Sequence, residues 1–125
     1  MEVAELFDIC QQLAQEGPSA SGLRRMHEVL VLTCAEGTKG QRGGFGNLFS
    51  QVDFVCKQQG MNMADRVATQ ALRRHSNQQE PPTIEEWRYD LRALTMLVSA
   101  VFKTDVPGSL RQLLPAHAQP PQADQ

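Results

Sequence analysis

The segment T-I-E-E-W-R-Y-D-L-R-A-L-T-M-L-V-S-A-V-F-K, residues 83–103, contains the longest helical pattern in the chain. Its apolar residues recur at alternating steps of three and four, which is the spacing of one face of an α-helix. These residues are Ile84, Trp87, Leu91, Leu94, Val98 and Val101. Thr83 and Glu86 have the spacing of a capping box, which satisfies two backbone N–H groups at a helix start. We therefore predict a long amphipathic helix whose apolar face, widened by Leu97 and Phe102, is buried at the centre of the core.

Other segments continue the helical pattern on both sides of residues 83–103. The predicted helices span about residues 2–16, 19–37, 45–59 and 63–76, and a last short helix follows Pro107-Gly108. Glycine, proline and serine mark most of the predicted ends, with Gly60 placed after a helix in the position that favours a left-handed backbone. We expect Val31 of the second helix and Val67 of the fourth to be buried.

The domain organisation follows from these segments. The sequence predicts one all-α domain, a bundle of five or six helices, over residues 1–114. Residues 115–125, P-A-H-A-Q-P-P-Q-A-D-Q, have almost no apolar side chains beyond alanine and are predicted to be a disordered tail or the start of a linker. A chain that ends in a linker would be a fragment of a larger protein. Residues 37–46 contain five glycines and are predicted to form a flexible loop, since they match neither a P-loop nor a dinucleotide fingerprint.

Composition excludes several classes of protein. Apolar residues make up 41% of the chain and charged residues 21%, which is typical of a globular protein, and the net charge is −2. This charge argues against general attraction to nucleic acid or to an anionic membrane, although a local basic patch stays possible. Cys10, Cys34 and Cys56 lack the spacing of a zinc site and are expected to be reduced and buried. Without a signal peptide or a long apolar run, the expected location is the cytoplasm, with no membrane partner.

A cluster of basic residues is the main candidate site. Two helices joined by a short turn between residues 47 and 77 have the outline of a DNA-binding helix-turn-helix. The candidate contacts to nucleic acid or another anion are Lys57, Arg66, Arg73, Arg74 and His75. The alternative is structural: cations at the carboxyl end of a helix complement its dipole, and Asn77 is placed to cap that end in the left-handed conformation. The sequence leaves both readings open.

Catalysis has little support in the sequence. The three histidines, including His75, do not have metal-ligand spacing. Glu85, Glu86 and Asp90 lie at the start of the long helix, where the helix dipole and solvation account for them. We therefore predict no catalytic residue, no metal site and no cofactor.

Two quoted runs carry a family resemblance. The run A-L-R-R-H-S-N at residues 71–77, followed by E-E-W-R-Y-D-L-R-A-L-T-M-L-V-S-A-V-F at residues 85–102, resembles the carboxyl-terminal helices of HEPN-like domains. The resemblance covers about residues 45–103. It implies a helical accessory domain of the kind joined to helicase or restriction-type ATPases, in a group where dimerisation through helices is frequent. Catalytic members have a histidine a few residues after an arginine, and no histidine follows Arg73 or Arg74 at that distance.

The predicted function is a non-catalytic accessory or interaction module, the amino-terminal part of a larger nucleic-acid-processing, helicase-like ATPase. Its partners would be other domains of that parent protein, a separate protein or a second copy of the chain. Two alternatives stay open. The chain would bind DNA or RNA directly through its basic patch, or it would be an unusual HEPN-type ribonuclease.

Overall fold

The computed structural model describes residues 2–38, 48–61, 63–77 and 82–116. In these ranges the chain forms six helices and no strand, which confirms the predicted all-α class. The helices are α1 (Val3–Glu16), α2 (Ala20–Gly37), α3 (Leu48–Gln58), α4 (Met63–Ser76), α5 (Ile84–Phe102) and α6 (Gly108–Arg111). Most of the glycine-rich loop and of the predicted tail lies outside the described residues.

Helix α5 is the central element, as its sequence predicts, and it packs against α1, α2 and α4. The capping box is present: the Glu86 amide donates to Thr83 Oγ1 at 3.1 Å, and the Thr83 amide donates to Glu86 Oε1 at 2.9 Å. The inner face of α5 is buried. Its fully buried apolar side chains include Trp87, Leu91, Leu94, Leu97 and Val98.

Trp87 joins three helices at one point. Its indole N–H donates to the backbone carbonyl of Leu13, in the last turn of α1, at 2.8 Å. Gly22 of α2 lies directly against the ring, where an added Cβ would come within 2.8 Å of a Trp87 ring carbon. Real Cβ atoms do not approach that closely, so this contact between α2 and α5 requires glycine. The α1 helix ends one turn after Leu13, at Gly17, whose φ is 85°.

The remaining helices surround this centre. Helix α3 packs against α2 and α4, and Val55 of α3 lies against Gly37 at the end of α2. Helix α6 packs against α1, with Leu110 fully buried and the Ser109 hydroxyl 3.1 Å from Gln11 Oε1. Gly60, after α3, has a φ of 66°, which confirms the predicted left-handed glycine.

Several side chains predicted to be buried are exposed. Ile84 is 60% exposed, Val67 47% and Val31 39%, so these three predictions were wrong. Each lies at the margin of an apolar stripe, and one residue step turns a helix by about 100°. A neighbour of a buried residue, such as Val31 beside Leu30, therefore points sideways unless another element covers it.

The prediction that Asn77 caps the end of α4 in the left-handed conformation is also wrong. Among the described non-glycine residues, positive φ occurs at Lys103, the C-cap of α5, and not at Asn77. The Asn77 amide instead donates to the carbonyl oxygens of Arg73 and Arg74, each at 3.2 Å. No helix in the described part of the chain is long and apolar enough to cross a membrane.

Candidate functional site

Two of the predicted basic residues, Lys57 of α3 and Arg66 of α4, share a single carboxylate. Lys57 Nζ lies 3.4 Å from Asp53 Oδ2, and Arg66 Nη2 lies 3.3 Å from Asp53 Oδ1. Asp53 therefore offsets one of these two positive charges, and its pair with Arg66 links α3 to α4. Only the Asp53–Lys57 half of this arrangement has a local signal, namely the four-residue spacing of a helical ion pair.

The other three predicted basic residues lie in the last turn of α4 and differ in exposure. Arg74 is exposed, Arg73 is half-buried, and His75 is only 7% exposed. The five candidate side chains are therefore not equally available to a ligand at the surface. Nucleic-acid binding by them stays a prediction.

His75 points into the domain and meets an acid of α5. Its Nε2 lies 3.3 Å from Asp90 Oδ2 and 3.9 Å from Glu86 Oε2. Asp90 is 3% exposed, so the expectation that solvation accounts for this carboxyl was wrong. The residue lies three positions after Trp87 and four before Leu94, on the inner face of α5. This spacing from Trp87 and Leu94 could have predicted that Asp90 is buried.

Burial shifts the protonation of both members of this pair. The pKa of the Asp90 carboxyl is raised to about 8, mainly by burial and also by nearby Glu86, while Arg74 partly offsets these effects. Burial lowers the pKa of His75, an effect that Glu86 opposes and Arg74 reinforces. Both shifts favour the uncharged forms, because removing a charge from water is costly. At neutral pH we therefore assign a protonated carboxyl beside a neutral imidazole.

The His75–Asp90 pair lies in the interior of the domain, with both side chains less than 10% exposed. Asp90 Oδ2 and His75 Nδ1 have no hydrogen-bond partner among the described residues, and neither residue lines the two clefts along α5 that are described below. The pair lies between α4 and α5 and joins the end of α4 to the start of α5.

A second polar contact joins the same two helices. Arg92 Nη1 of α5 donates to Asp65 Oδ1 of α4 at 2.8 Å, and both side chains are largely buried. A charge-assisted bond of this length is strong when water is partly excluded. The sequence reading missed it, because residues 65 and 92 are far apart in the chain and no local spacing connects them.

The cysteines have the environment of structural residues. Cys10, Cys34 and Cys56 are buried and not disulfide-bonded, as predicted. Burial raises the pKa of the Cys10 and Cys34 thiols to about 12, so the reactive thiolate is scarce at neutral pH. Within the described residues there is also no group of three or more side chains that could hold a metal ion.

An exposed cleft lies between the start of α5 and the segment after α6, and we call it the α5 cleft. Its volume is about 620 Å³. The lining residues are Ile84, Glu85, Arg88, Tyr89, Gln112, Leu113, Leu114 and Pro115. Ile84, the most exposed large apolar side chain among the described residues, therefore faces an open concave surface.

A second cleft continues along α5. It has a volume of about 340 Å³ and shares Leu114 and Pro115 with the α5 cleft. Its other lining residues are Arg92, Met96, Val106, Arg111 and Ala116. The sequence reading missed both clefts, because the walls come from segments that meet only through packing.

Comparison with known proteins gives no match: no protein-family model, no curated protein and no solved structure is significantly similar to this chain.

Proposed function

We propose that this chain is a non-catalytic helical interaction module that docks a segment of a partner protein in the α5 cleft. The observation that carries the proposal is the position of Ile84, which is 60% exposed in a concave surface next to Leu113 and Leu114. Exposed apolar side chains that lie together mark interaction sites or binding grooves, whereas single exposed ones are ordinary.

The rigidity of α5 supports this role. The Thr83–Glu86 capping box holds its first turn, and the Trp87 side chain is bonded to α1 one turn further on. A partner that docks against this turn meets a preformed surface, so α5 itself loses little conformational entropy on binding. Docking would also remove Ile84 from water, a gain of about 1 kcal/mol.

The interior polar groups also fit a structural module. His75 and Asp90, like Arg92 and Asp65, connect α4 to α5. Their contacts lie between helices, away from the α5 cleft in the case of the His75–Asp90 pair. This arrangement supports a structural role for these four side chains.

The resemblance to HEPN-like domains gives this proposal a broader setting. It would make the chain an accessory part of a nucleic-acid-processing ATPase, with the docked segment supplied by another domain of the parent or by a separate protein. Direct binding to nucleic acid has weaker support, because Asp53 already pairs with Lys57 and Arg66.

A peptide selection on the intact chain tests the docking role. A helix of about 12 residues is about 18 Å long, so a displayed library of random peptides of this length samples segments that would fit. We expect enriched peptides with regularly spaced apolar residues that no longer bind the Ile84→Ser variant. Val67→Ser, which changes an exposed apolar residue of α4, is the matched control and should bind as the wild type does. The proposal fails if no peptide is enriched, or if Ile84→Ser leaves binding unchanged.

A further inference from the structure

The two clefts form one surface along α5. Ile84, Arg88, Arg92 and Met96 follow one another at four-residue steps, which places them on one face of the helix. The segment 113–116 flanks this face, and Leu114 and Pro115 line both clefts. We call this surface the α5 docking face. At 1.5 Å per residue it extends for about 18 Å, or roughly three helical turns.

The charge of the α5 docking face differs from that of the whole protein. The chain has a net charge of −2, yet the two clefts are lined by three arginines and one acid, Glu85. Arg92 forms an ion pair with Asp65. Arg88 and Arg111 are exposed, and neither forms an ion pair with another residue in the described ranges. Two exposed cations therefore border a concavity whose lining is partly apolar.

We infer that the α5 docking face binds an acidic amphipathic helix of a partner protein, and this inference rests on the proposed docking role. Apolar residues of the partner helix would pack on Ile84, Leu113 and Met96, and its carboxylates would lie beside Arg88 and Arg111. A helix laid in a groove uses side chains at steps of three and four residues, which matches a surface about three turns long.

Other occupants fit this surface less well. Nucleic acid would meet Arg88 and Arg111, but it would leave the aliphatic side chains of Ile84 and Leu113 against a phosphate backbone, which makes its main contacts through polar groups. A second copy of the chain could present Leu32, which is 40% exposed, on the outer face of α2. Such a contact joins different surfaces of the two copies and forms rings or open chains rather than a closed dimer.

The experiment uses the same peptide selection and sorts the enriched peptides by charge. We expect an excess of Asp and Glu between the apolar positions. Arg88→Glu and Arg111→Glu should each weaken binding of a selected peptide about fivefold at low salt, the effect of one exposed ion pair. Arg24→Glu reverses an exposed arginine on α2, away from the face, and should have no effect. Replacing the Glu residues of a selected peptide by Lys should restore binding to the reversed variants.

The possible results separate this inference from the docking role. Enriched peptides that are neutral or basic, depend on Ile84 and tolerate Arg88→Glu would overturn the acidic helix while leaving docking intact. If binding of the selected peptides does not depend on Ile84, both the acidic-helix inference and the docking role are overturned. Sedimentation of the chain alone tests the second copy: concentration-dependent association that Ile84→Ser and Leu32→Ser both abolish would replace the acidic helix with this chain.

Discussion

The inner and outer faces of α5 each contain one exception to the usual placement of polar and apolar side chains. The inner face buries a carboxyl, Asp90, between Trp87 and Leu94, whereas the outer face leaves Ile84 exposed beside Arg88. Both exceptions lie close together, in the first two turns of the helix. The comparison shows that the register of a residue on the helix, rather than its type, decided whether α4 and α1 would cover it.

Replacement of Trp87 by alanine should have the largest effect and tests the importance of the inner face. The variant loses a buried ring and the hydrogen bond to Leu13, so the free energy of unfolding should fall by about 3–5 kcal/mol. Urea denaturation followed by far-ultraviolet circular dichroism measures this change. Arg88→Ala, the adjacent outer-face residue, should change stability by less than about 0.5 kcal/mol. Equal effects of the two substitutions would contradict the distinction between the faces.

Gly22 tests how closely α2 must approach the inner face. Gly22→Ala places a methyl group against the Trp87 ring, and we expect destabilisation of about 1–3 kcal/mol from overpacking. Gly108→Ala is the matched control, because a Cβ at that position meets no atom within 4 Å. Thermal or urea unfolding of both variants gives the comparison. A stabilised Gly22→Ala protein would show that α2 can move away from Trp87 without loss.

The pH dependence of stability tests the buried carboxyl. Because the pKa of Asp90 is raised from 3.8 to about 8, the folded state holds its proton while the unfolded state releases it. The contribution of Asp90 to stability is therefore fully present below about pH 4 and is lost as the pH rises towards 8. His75, whose pKa is lowered from 6.5, acts in the opposite sense and reduces stability as the pH falls below 6.5.

Asp90→Asn should remove the loss of stability between pH 4 and 8, since the amide does not ionise. The variant should gain stability relative to the wild type as the pH rises, and a shift of one pKa unit corresponds to about 1.4 kcal/mol. Urea unfolding at a series of pH values measures the difference. Glu85→Gln, an exposed acid on the same helix, should give a curve parallel to that of the wild type. Parallel curves for Asp90→Asn would mean that Asp90 is ionised in the folded protein.

The smallest expected effect concerns the basic residues of α3 and α4. With Lys57 and Arg66 paired to Asp53, we expect only weak binding to DNA or RNA, measured by fluorescence anisotropy from low to physiological salt. Binding through phosphate contacts would weaken steeply with salt. Tight binding that falls steeply with salt and is reduced by Arg74→Ala, but not by Arg24→Ala, would favour the nucleic-acid alternative over the docking face.

Some features of the candidate site could be predicted from the sequence, and others could not. The burial of Asp90 could have been predicted, since the residue lies on the same helix face as Trp87 and Leu94. Its position near the helix start led instead to the prediction that it is solvated. The contact between Arg92 and Asp65 and the two clefts had no local pattern. They depend on how α4 and the segment after α6 pack against α5, which the spacing within one segment does not reveal.

Short-range pattern alone was enough for the helices and most of their ends. The spacing of apolar residues on α5, the Thr83–Glu86 capping box and the left-handed Gly60 each involve atoms within one or two turns of the chain. Their energies are therefore local. The arrangement of all six described helices decided the rest. It determined which side of each helix is covered, which carboxyl is buried and which arginines stay exposed. Burial is a property of neighbours that are distant in the chain.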